Sequence, residues 1–325
     1  MKLRVAVIYG GRSGEHEVSL RSAESVIAAM DPERYDVLRF FIGKDGRWQP
    51  HPILPEPGAN PGIDVVFPVL HGTFGEDGTL QGLLELADLP YVGGGVLASA
   101  VSMDKDVMKR LCREAGLPVV EHVVQWRGRL NAVEIERRFG YPVFVKPANL
   151  GSSVAVSKAR NRAELEAALE LAAQYDRKVI AERAISGREL ECAVLGNEQP
   201  EASLPCEIIP SREFYDYEDK YILDAARLIV PAELPPEITA EVRRLAVACY
   251  RVVECEGMAR VDFLWEQPSQ KLYINEINTI PGFTSISMFP RMWEATGLPY
   301  PRLIDRLIEL ALERHRVRRE LRYSI

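Results

Sequence analysis

Cysteine is scarce in this chain: five residues in 325, at Cys112, Cys192, Cys206, Cys249 and Cys255. The number is odd and no pair has Cys-x-x-Cys spacing, so neither a zinc site nor a disulfide framework is indicated, and a reducing compartment is the expected home. No run of about 18 consecutive apolar residues occurs, so no membrane span is expected. The N-terminus turns glycine-rich at Gly10 without the apolar stretch of an export signal. Basic charge is also short, with 40 Lys and Arg against 47 Asp and Glu and a formal net charge of −7. The one basic block is Arg314, His315, Arg316, Arg318 and Arg319, which reads as the C-terminal end of a last helix, where cations suit the dipole, so nucleic acid is not an expected partner. Internal repeats and low-complexity tracts are lacking too.

What remains is 47% hydrophobic and 27% charged, the composition of a packed globular protein. At roughly 100 to 200 residues per domain this length suggests two or three domains, and a cleft between them. Residues 3–9 form a β-branched run ending in Gly10-Gly11-Arg12-Ser13-Gly14, after which Val18, Ala23, Val26, Ile27 and Met30 keep helical spacing. Strands at 35–42 and 65–70 and a helix at 79–87 complete an alternating unit of parallel-sheet type that ends near Lys105. A helix at 103–115, strand at 119–124, helix at 133–139, strand at 143–146, helix at 163–174 and strand at 179–182 make an α+β unit. The last third reads as a strand at 189–195, a polar stretch at 209–228, a helix at 237–255, strands at 258–265 and 271–278, and helices at 287–295 and 302–314. The expected class is therefore α/β followed by α+β, divided at 1–105, 106–188 and 189–325.

The two strands joined at Gln267-Pro268-Ser269, a good hairpin turn, carry the densest chemistry. Alternation puts Met258, Arg260, Asp262 and Leu264 on one face, and Leu272, Ile274, Glu276 and Asn278 on one face of the partner. If the faces coincide, two carboxylates and an amide oxygen form a hard oxygen set suited to Mg²⁺, beside an Arg that suits an anionic transition state. The bland competitor is a solvated cross-strand ion pair such as Arg260 with Glu276. Lys146 ends an apolar strand and precedes Pro147-Ala148-Asn149-Leu150-Gly151-Ser152-Ser153, which resembles a phosphate clamp because glycine and serines let N–H and hydroxyl groups approach closely. Neither a Gly-x-x-x-x-Gly-Lys-[Ser/Thr] loop nor Gly-x-Gly-x-x-Gly occurs, which gives little support to a nicotinamide oxidoreductase. Glu15 and His16, after the first glycine loop, offer groups that could receive a small zwitterion.

At this point the chain resembles the D-alanine:D-alanine ligases of the ATP-grasp superfamily. The match runs through Gly10 to Ser19, His71-Gly72-Thr73-Phe74-Gly75-Glu76-Asp77-Gly78, Ser102-Met103-Asp104-Lys105, Lys146 to Ser153, Phe214 to Tyr221, and Glu276-Ile277-Asn278-Thr279-Ile280-Pro281-Gly282-Phe283-Thr284. The resemblance implies an ATP-grasp fold with an N-terminal Rossmann-like domain, and ATP-dependent condensation of two D-alanines in the cytoplasm by a homodimer using Mg²⁺ or Mn²⁺. By matching motif, Lys105 and Lys146 fall to the nucleotide phosphates, Ser153 and Lys220 to the nucleotide, Glu182 and the residues after it to adenine, and Glu189 to ribose. Asp262, Glu276 and Asn278 hold the metal. Glu15, with His71 nearby, orients the first D-alanine, and Ser152 and Tyr221 link Glu15 to a lid over 214–221. Arg260 and the Gly282 N–H stabilise the oxyanion, and Ser287 and Met288 receive the second D-alanine.

Two residues depart from the family pattern: Ala155 lies where Gly is frequent, and Met288 where Leu is. A D-alanyl-D-serine or D-alanyl-D-lactate ligase would share every nucleotide and metal residue, although the Lys220-Tyr221 pair favours the dipeptide. A regulatory protein keeping the fold without turnover would be expected to have lost Arg260 or a metal ligand, and none is lost.

Overall fold

The computed structural model describes residues 2–151, 154–210, 226–284 and 286–323. Ser152, Ser153, Lys220 and Tyr221, and the lid expected over 214–221, lie outside the described residues. The first sheet contains β1 (Leu3–Gly10), β2 (Tyr35–Ile42), β3 (Trp48–Gln49) and β4 (Val65–Pro68) in the order β3-β2-β1-β4, with β1 parallel to both neighbours. Val5, Ala6, Val7 and Ile8 are all fully buried, as expected of a parallel strand covered on both faces. Helix α1 (His16–Ala29) buries Val18, Ala23 and Val26, and α2 (Thr79–Leu86) buries Leu80 and Leu84.

The helix expected over 103–115 is present over 105–114, and a helix that the sequence reading did not include precedes it. Helix α3 (Val96–Met103) stops at Asp104, whose side chain accepts the Val107 N–H at 3.1 Å and so caps α4 (Lys105–Glu114). An Asp cap satisfies a donor that the first turn leaves orphaned, and it re-aims the chain just before Lys105.

The second sheet is antiparallel, ordered β5-β8-β6-β7, from β5 (His122–Trp126), β6 (Val143–Pro147), β7 (Ser157–Ala159) and β8 (Lys178–Arg183). Helices α5 (Ala132–Phe139) and α6 (Arg162–Tyr175) share its core through Ile135, Leu165, Leu169 and Ala172, packed with Val143, Val145 and Val179. The third sheet holds β9 (Arg188–Gly196), β10 (Glu201–Ala202), β11 (Cys206–Ile209), β12 (Arg227–Ile229), β13 (Gly257–Glu266) and β14 (Lys271–Asn278). Its order is β12-β11-β9-β13-β14, with β10 beside β9. Both ends of the polar stretch 209–228 therefore lie in short strands that carry no apolar alternation long enough to show in the sequence. Helix α7 (Pro236–Val252) covers this sheet with Ile238, Val242, Leu245 and Tyr250.

Helices α8 (Met288–Ala295) and α9 (Tyr300–Arg319) return the chain to the first sheet. Phe283, Phe289, Leu303, Ile304 and Leu307 form one core with Val5, Val7 and Phe67 of the first sheet and Ala193 and Met258 of the third. Truncating a fully buried Phe such as Phe283 removes about 3–5 kcal/mol, so this shared core fixes the site between the sheets. The basic block ends the last helix as expected, with Arg316, Arg318 and Arg319 in the final turn of α9, while the buried Arg314 donates to the Gly93 and Tyr91 carbonyls at 2.5 and 2.7 Å. All five cysteines are free and buried.

Candidate active site

The hairpin places its polar set as alternation requires, then breaks the alternation. Arg260 pairs across the ladder with Asn278, and Asp262 with Glu276. Beyond Asp262 the register shifts, so Ile274 lies opposite Phe263 and Leu272 opposite Trp265, in the buried core rather than on the face of Glu276 and Asn278. The extra residue is Asn275, and the bulge brings its Oδ1 to 3.2 Å from the Lys146 ammonium that donates to it.

Arg260 is not in a solvated pair with Glu276. It donates to both oxygens of Asp262, at 2.7 and 2.6 Å, and its Nε lies 3.2 Å from Glu191 Oε1 on β9. Burial alone would lower the pKa of this guanidinium, but Asp262 and then Glu191 outweigh burial and raise it. Glu191 is a site residue that the sequence does not announce; it lies opposite Asp262 in the ladder, a relation only the sheet order reveals.

A cavity of about 400 Å³ opens between the second and third sheets, lined by Lys105, Lys146, Glu182, Glu189, Asp262 and Glu276 among others. Lys105, freed by the helix break to start α4, donates to the Leu150 carbonyl at 2.8 Å and sits 3.3 Å from Glu276 Oε2. Lys146 lies 2.7 Å from Glu182 Oε2, while Lys109 approaches Oε1 at 2.9 Å. Burial favours a protonated Glu182, yet Lys109 and Lys146 overcome it and hold the carboxyl at about 2. The expected adenine contact thus carries a carboxylate already engaged by two lysines. On the loop after β6, Ala155 has φ +55°, the left-handed region where Gly costs nothing and Ala is strained.

A second space of about 190 Å³ adjoins the first, lined by Glu15, His71, Glu76, Arg260, Gly282, Ser287 and Met288 among others. Glu15 is the N-cap residue of α1. Ser13 Oγ accepts the Glu15 N–H at 3.2 Å and donates to the His71 carbonyl at 2.6 Å, which stitches the two loops together. Gly72 has φ +72°, a left-handed conformation that glycine adopts without strain, and a Cβ there would stand 2.6 Å from Glu15 Oε2 and displace that carboxylate. His71 is buried, with Nδ1 3.1 Å from the Ile280 carbonyl and Nε2 3.1 Å from Ser22 Oγ. Burial lowers its pKa against the pull of Glu15, which keeps the ring neutral. Glu76, to which the sequence reading gives no role, accepts the Gly72 N–H at 2.8 Å, and burial followed by the charge of Glu15 pushes its carboxyl up to about 8. At the far end Ser287 Oγ accepts the Thr284 N–H at 2.9 Å, and a Cβ on Gly282 would lie 2.7 Å from that oxygen.

The site therefore brings together Glu15, His71, Arg260, Gly282, Ser287 and Met288 in the cleft, and Lys105, Lys146, Glu182, Glu189 and Asp262 in the cavity. Glu276 and Glu191 line both, and Asn278 lies on the cleft side. His16 is not among the cleft residues: its Nδ1 lies 2.7 Å from the Gly11 carbonyl and its ring packs edge-on against Phe41, so it braces the first loop.

A nucleotide-sized cavity between two antiparallel sheets, lined by Lys146 and Glu182 from one sheet, Asp262 and Glu276 from the other and Lys105 from the start of α4, beside a parallel-sheet domain, defines the ATP-grasp class. Profiles of the D-ala D-ala ligase N-terminus match residues 4–59 and 54–94, and that of the D-ala D-ala ligase C-terminus matches 111–309. The chain belongs to the D-alanine–D-alanine ligase family. It is 68% identical to a D-alanine–D-alanine ligase of Solibacter usitatus over the whole of both chains, and 47% identical to D-alanine–D-alanine ligase A of Escherichia coli over 97% of each. Among solved structures, the D-alanine-D-alanine ligase of Coxiella burnetii superposes with a TM-score of 0.88 at 40% identity, covering 98% of this chain and 96% of the other. A D-Ala:D-Ser ligase of Enterococcus faecalis gives 0.87 at 37% identity, covering 96% of this chain and 100% of the other.

Proposed function

We propose that this chain joins two D-alanines into D-alanyl-D-alanine, converting ATP to ADP and phosphate through a D-alanyl phosphate, to supply the peptidoglycan precursor. The observation that carries the reading is the meeting of the two spaces at Glu276, one lined by lysines and the other by groups suited to an amino acid. A carboxylate does not react usefully with an amine at neutral pH, so phosphorylation supplies the missing leaving group; the second amine then attacks through a tetrahedral intermediate.

Lys105 and Lys146 hold the phosphates, with Ser153 and Lys220 beside them as the family motif implies. Glu182 and the following residues meet adenine, and Glu189 meets ribose. Glu15 holds the first amino group with His71 in the same cleft, and the family motif implies that Ser152 and Tyr221 connect it to the lid. Arg260, kept charged and fixed between Asp262 and Glu191, faces the oxyanion together with the Gly282 N–H. Ser287 and Met288, at the start of α8, take the carboxylate of the second D-alanine where the helix end carries partial positive charge.

Among the described residues no group of three or more His, Cys, Asp or Glu side chains gathers at metal-binding spacing. The donors here are instead two carboxylates and an amide on facing strand positions, with Asn278 Nδ2 donating to Asp262 at 3.2 Å. That set fits Mg²⁺ or Mn²⁺, which takes its remaining ligands from phosphate oxygens and water. Held by Asp262, Glu276 and Asn278, the metal would neutralise charge on the transferring phosphoryl group. The division at 1–105, 106–188 and 189–325, a homodimer and a cytoplasmic setting complete the reading. No helix among the described residues is long and apolar enough to cross a membrane.

The test is phosphate release and product analysis with ATP, Mg²⁺ and a panel of D-alanine, D-serine, D-lactate and L-alanine. The expected outcome is phosphate release matched by D-alanyl-D-alanine. A preference for D-serine or D-lactate as second substrate would move the chain to the neighbouring ligases, and equal turnover with L-alanine alone would overturn the reading.

A further inference from the structure

Lys109 stands out among the charged residues because nothing in the reaction above uses it. It lies on α4 four residues after Lys105, hence on the same helix face, yet it is fully buried and stands behind Glu182 rather than on the cavity wall. Its ammonium is 2.9 Å from Glu182 Oε1, an ion pair without good hydrogen-bond alignment. Glu182 Oε2 is at the same time 2.7 Å from the ammonium of Lys146, a residue that lines the cavity. One buried carboxylate thus has two cations, one on the wall and one behind it. A buried lysine is costly, and an apolar residue of like length would pack there without that penalty.

With Lys146 as its sole counter-charge, Glu182 would hold it firmly, since moving that lysine to a phosphate would leave a desolvated anion alone. With Lys109 in place, Lys146 can turn to a phosphate while Glu182 stays paired. We propose that Lys109 is a positioning residue for nucleotide binding, the standing counter-ion of Glu182 that leaves Lys146 free to engage a phosphate. This rests on the reading of Lys146 as a phosphate ligand.

The test is a mutant cycle read by affinity for the imido analogue of ATP and by separate KM values for ATP and D-alanine. Lys109→Met should weaken nucleotide binding about tenfold to hundredfold while the D-alanine KM stays within about twofold. In the Glu182→Gln background, where no anion detains Lys146, adding Lys109→Met should cost less than about threefold. A change below that threshold in the native background, or an equal loss in both backgrounds, overturns the proposal, because a merely structural lysine would cost the same in each. If Lys109→Met alone does not fold, the comparison of Glu182→Gln with the double variant decides, and a tenfold or larger gap between those two rejects the counter-ion role. Lys146→Met separates the two claims: unchanged nucleotide affinity removes the phosphate-ligand reading and this proposal together, whereas weakened affinity with an indifferent Lys109→Met removes this proposal alone.

Discussion

The two adjoining spaces handle charge in different ways. In the nucleotide cavity Lys105 and Lys146 each meet one carboxylate, Glu276 at 3.3 Å and Glu182 at 2.7 Å, and one neutral oxygen, the Leu150 carbonyl at 2.8 Å and Asn275 Oδ1 at 3.2 Å. In the amino-acid cleft Arg260 is clamped by Asp262 through two hydrogen bonds and by Glu191 from the next strand. A polyanion that enters and leaves needs cations able to exchange partners. An oxyanion that exists only in the transition state is better served by a cation that need not move. On the proposed function, the more loosely held charges would serve binding and the clamped one the chemical step.

Glu276 belongs to both spaces, so its loss should have the largest effect. Glu276→Gln should lower kcat by roughly a hundredfold or more, with a melting temperature close to that of the parent. Near-normal turnover at limiting Mg²⁺ would remove Glu276 from the metal site. Glu15 lies in the cleft alone. Glu15→Gln should raise the KM for D-alanine by about tenfold or more, since a charge-assisted hydrogen bond is lost, and leave the KM for ATP within about twofold. Parallel changes in both constants would dissolve the distinction between the spaces.

The third effect is one of stability against pH. The carboxyl of Glu76 is pushed up to about 8 in the folded chain from an ordinary value of 4.5. The folded state then holds a proton that the unfolded state has released, so this group's contribution is complete below about 4.5 and declines as pH rises toward about 8. Glu76→Gln should flatten that fall in melting temperature, and an unaltered slope would show that Glu76 ionises normally. The smallest effect is at Ala155, with φ +55°. Ala155→Gly should stabilise the fold by about 1 kcal/mol in denaturant titrations, the relief of left-handed strain outweighing the greater freedom of the unfolded glycine. A loss of stability would mean that the neighbouring loop, rather than the backbone of Ala155, dominates.

What could be read from the sequence divides along the same physical lines. Arg260, Asp262, Glu276 and Asn278 were legible because period-two alternation is a local rule, and it holds until Asn275 adds a residue to one strand. The bulge, which turns Leu272 and Ile274 into core and sends Asn275 to Lys146, depends on the neighbouring strand and leaves no mark in spacing. Glu191 and Glu76 were not assigned for a related reason: one acts through a ladder partner and the other through a loop folded against Glu15. Strands β11 and β12 are too short to show a pattern, and α3 exposes Val96 and Leu97 while burying Ser99 and Ser102, so apolar spacing does not mark it as a helix. The glycine loops and the order of motifs carried the family, while the pairing of charges within the site had to come from tertiary structure.

The central claim is that the two spaces meet so that a carboxylate in the cleft is phosphorylated from the nucleotide cavity. Its most direct test uses D-alanine labelled with heavy oxygen in its carboxylate, followed by mass analysis of the phosphate released during turnover. Phosphorylation of that carboxylate predicts that each phosphate carries one labelled oxygen per dipeptide formed. Phosphate without label, released in step with dipeptide, would contradict it.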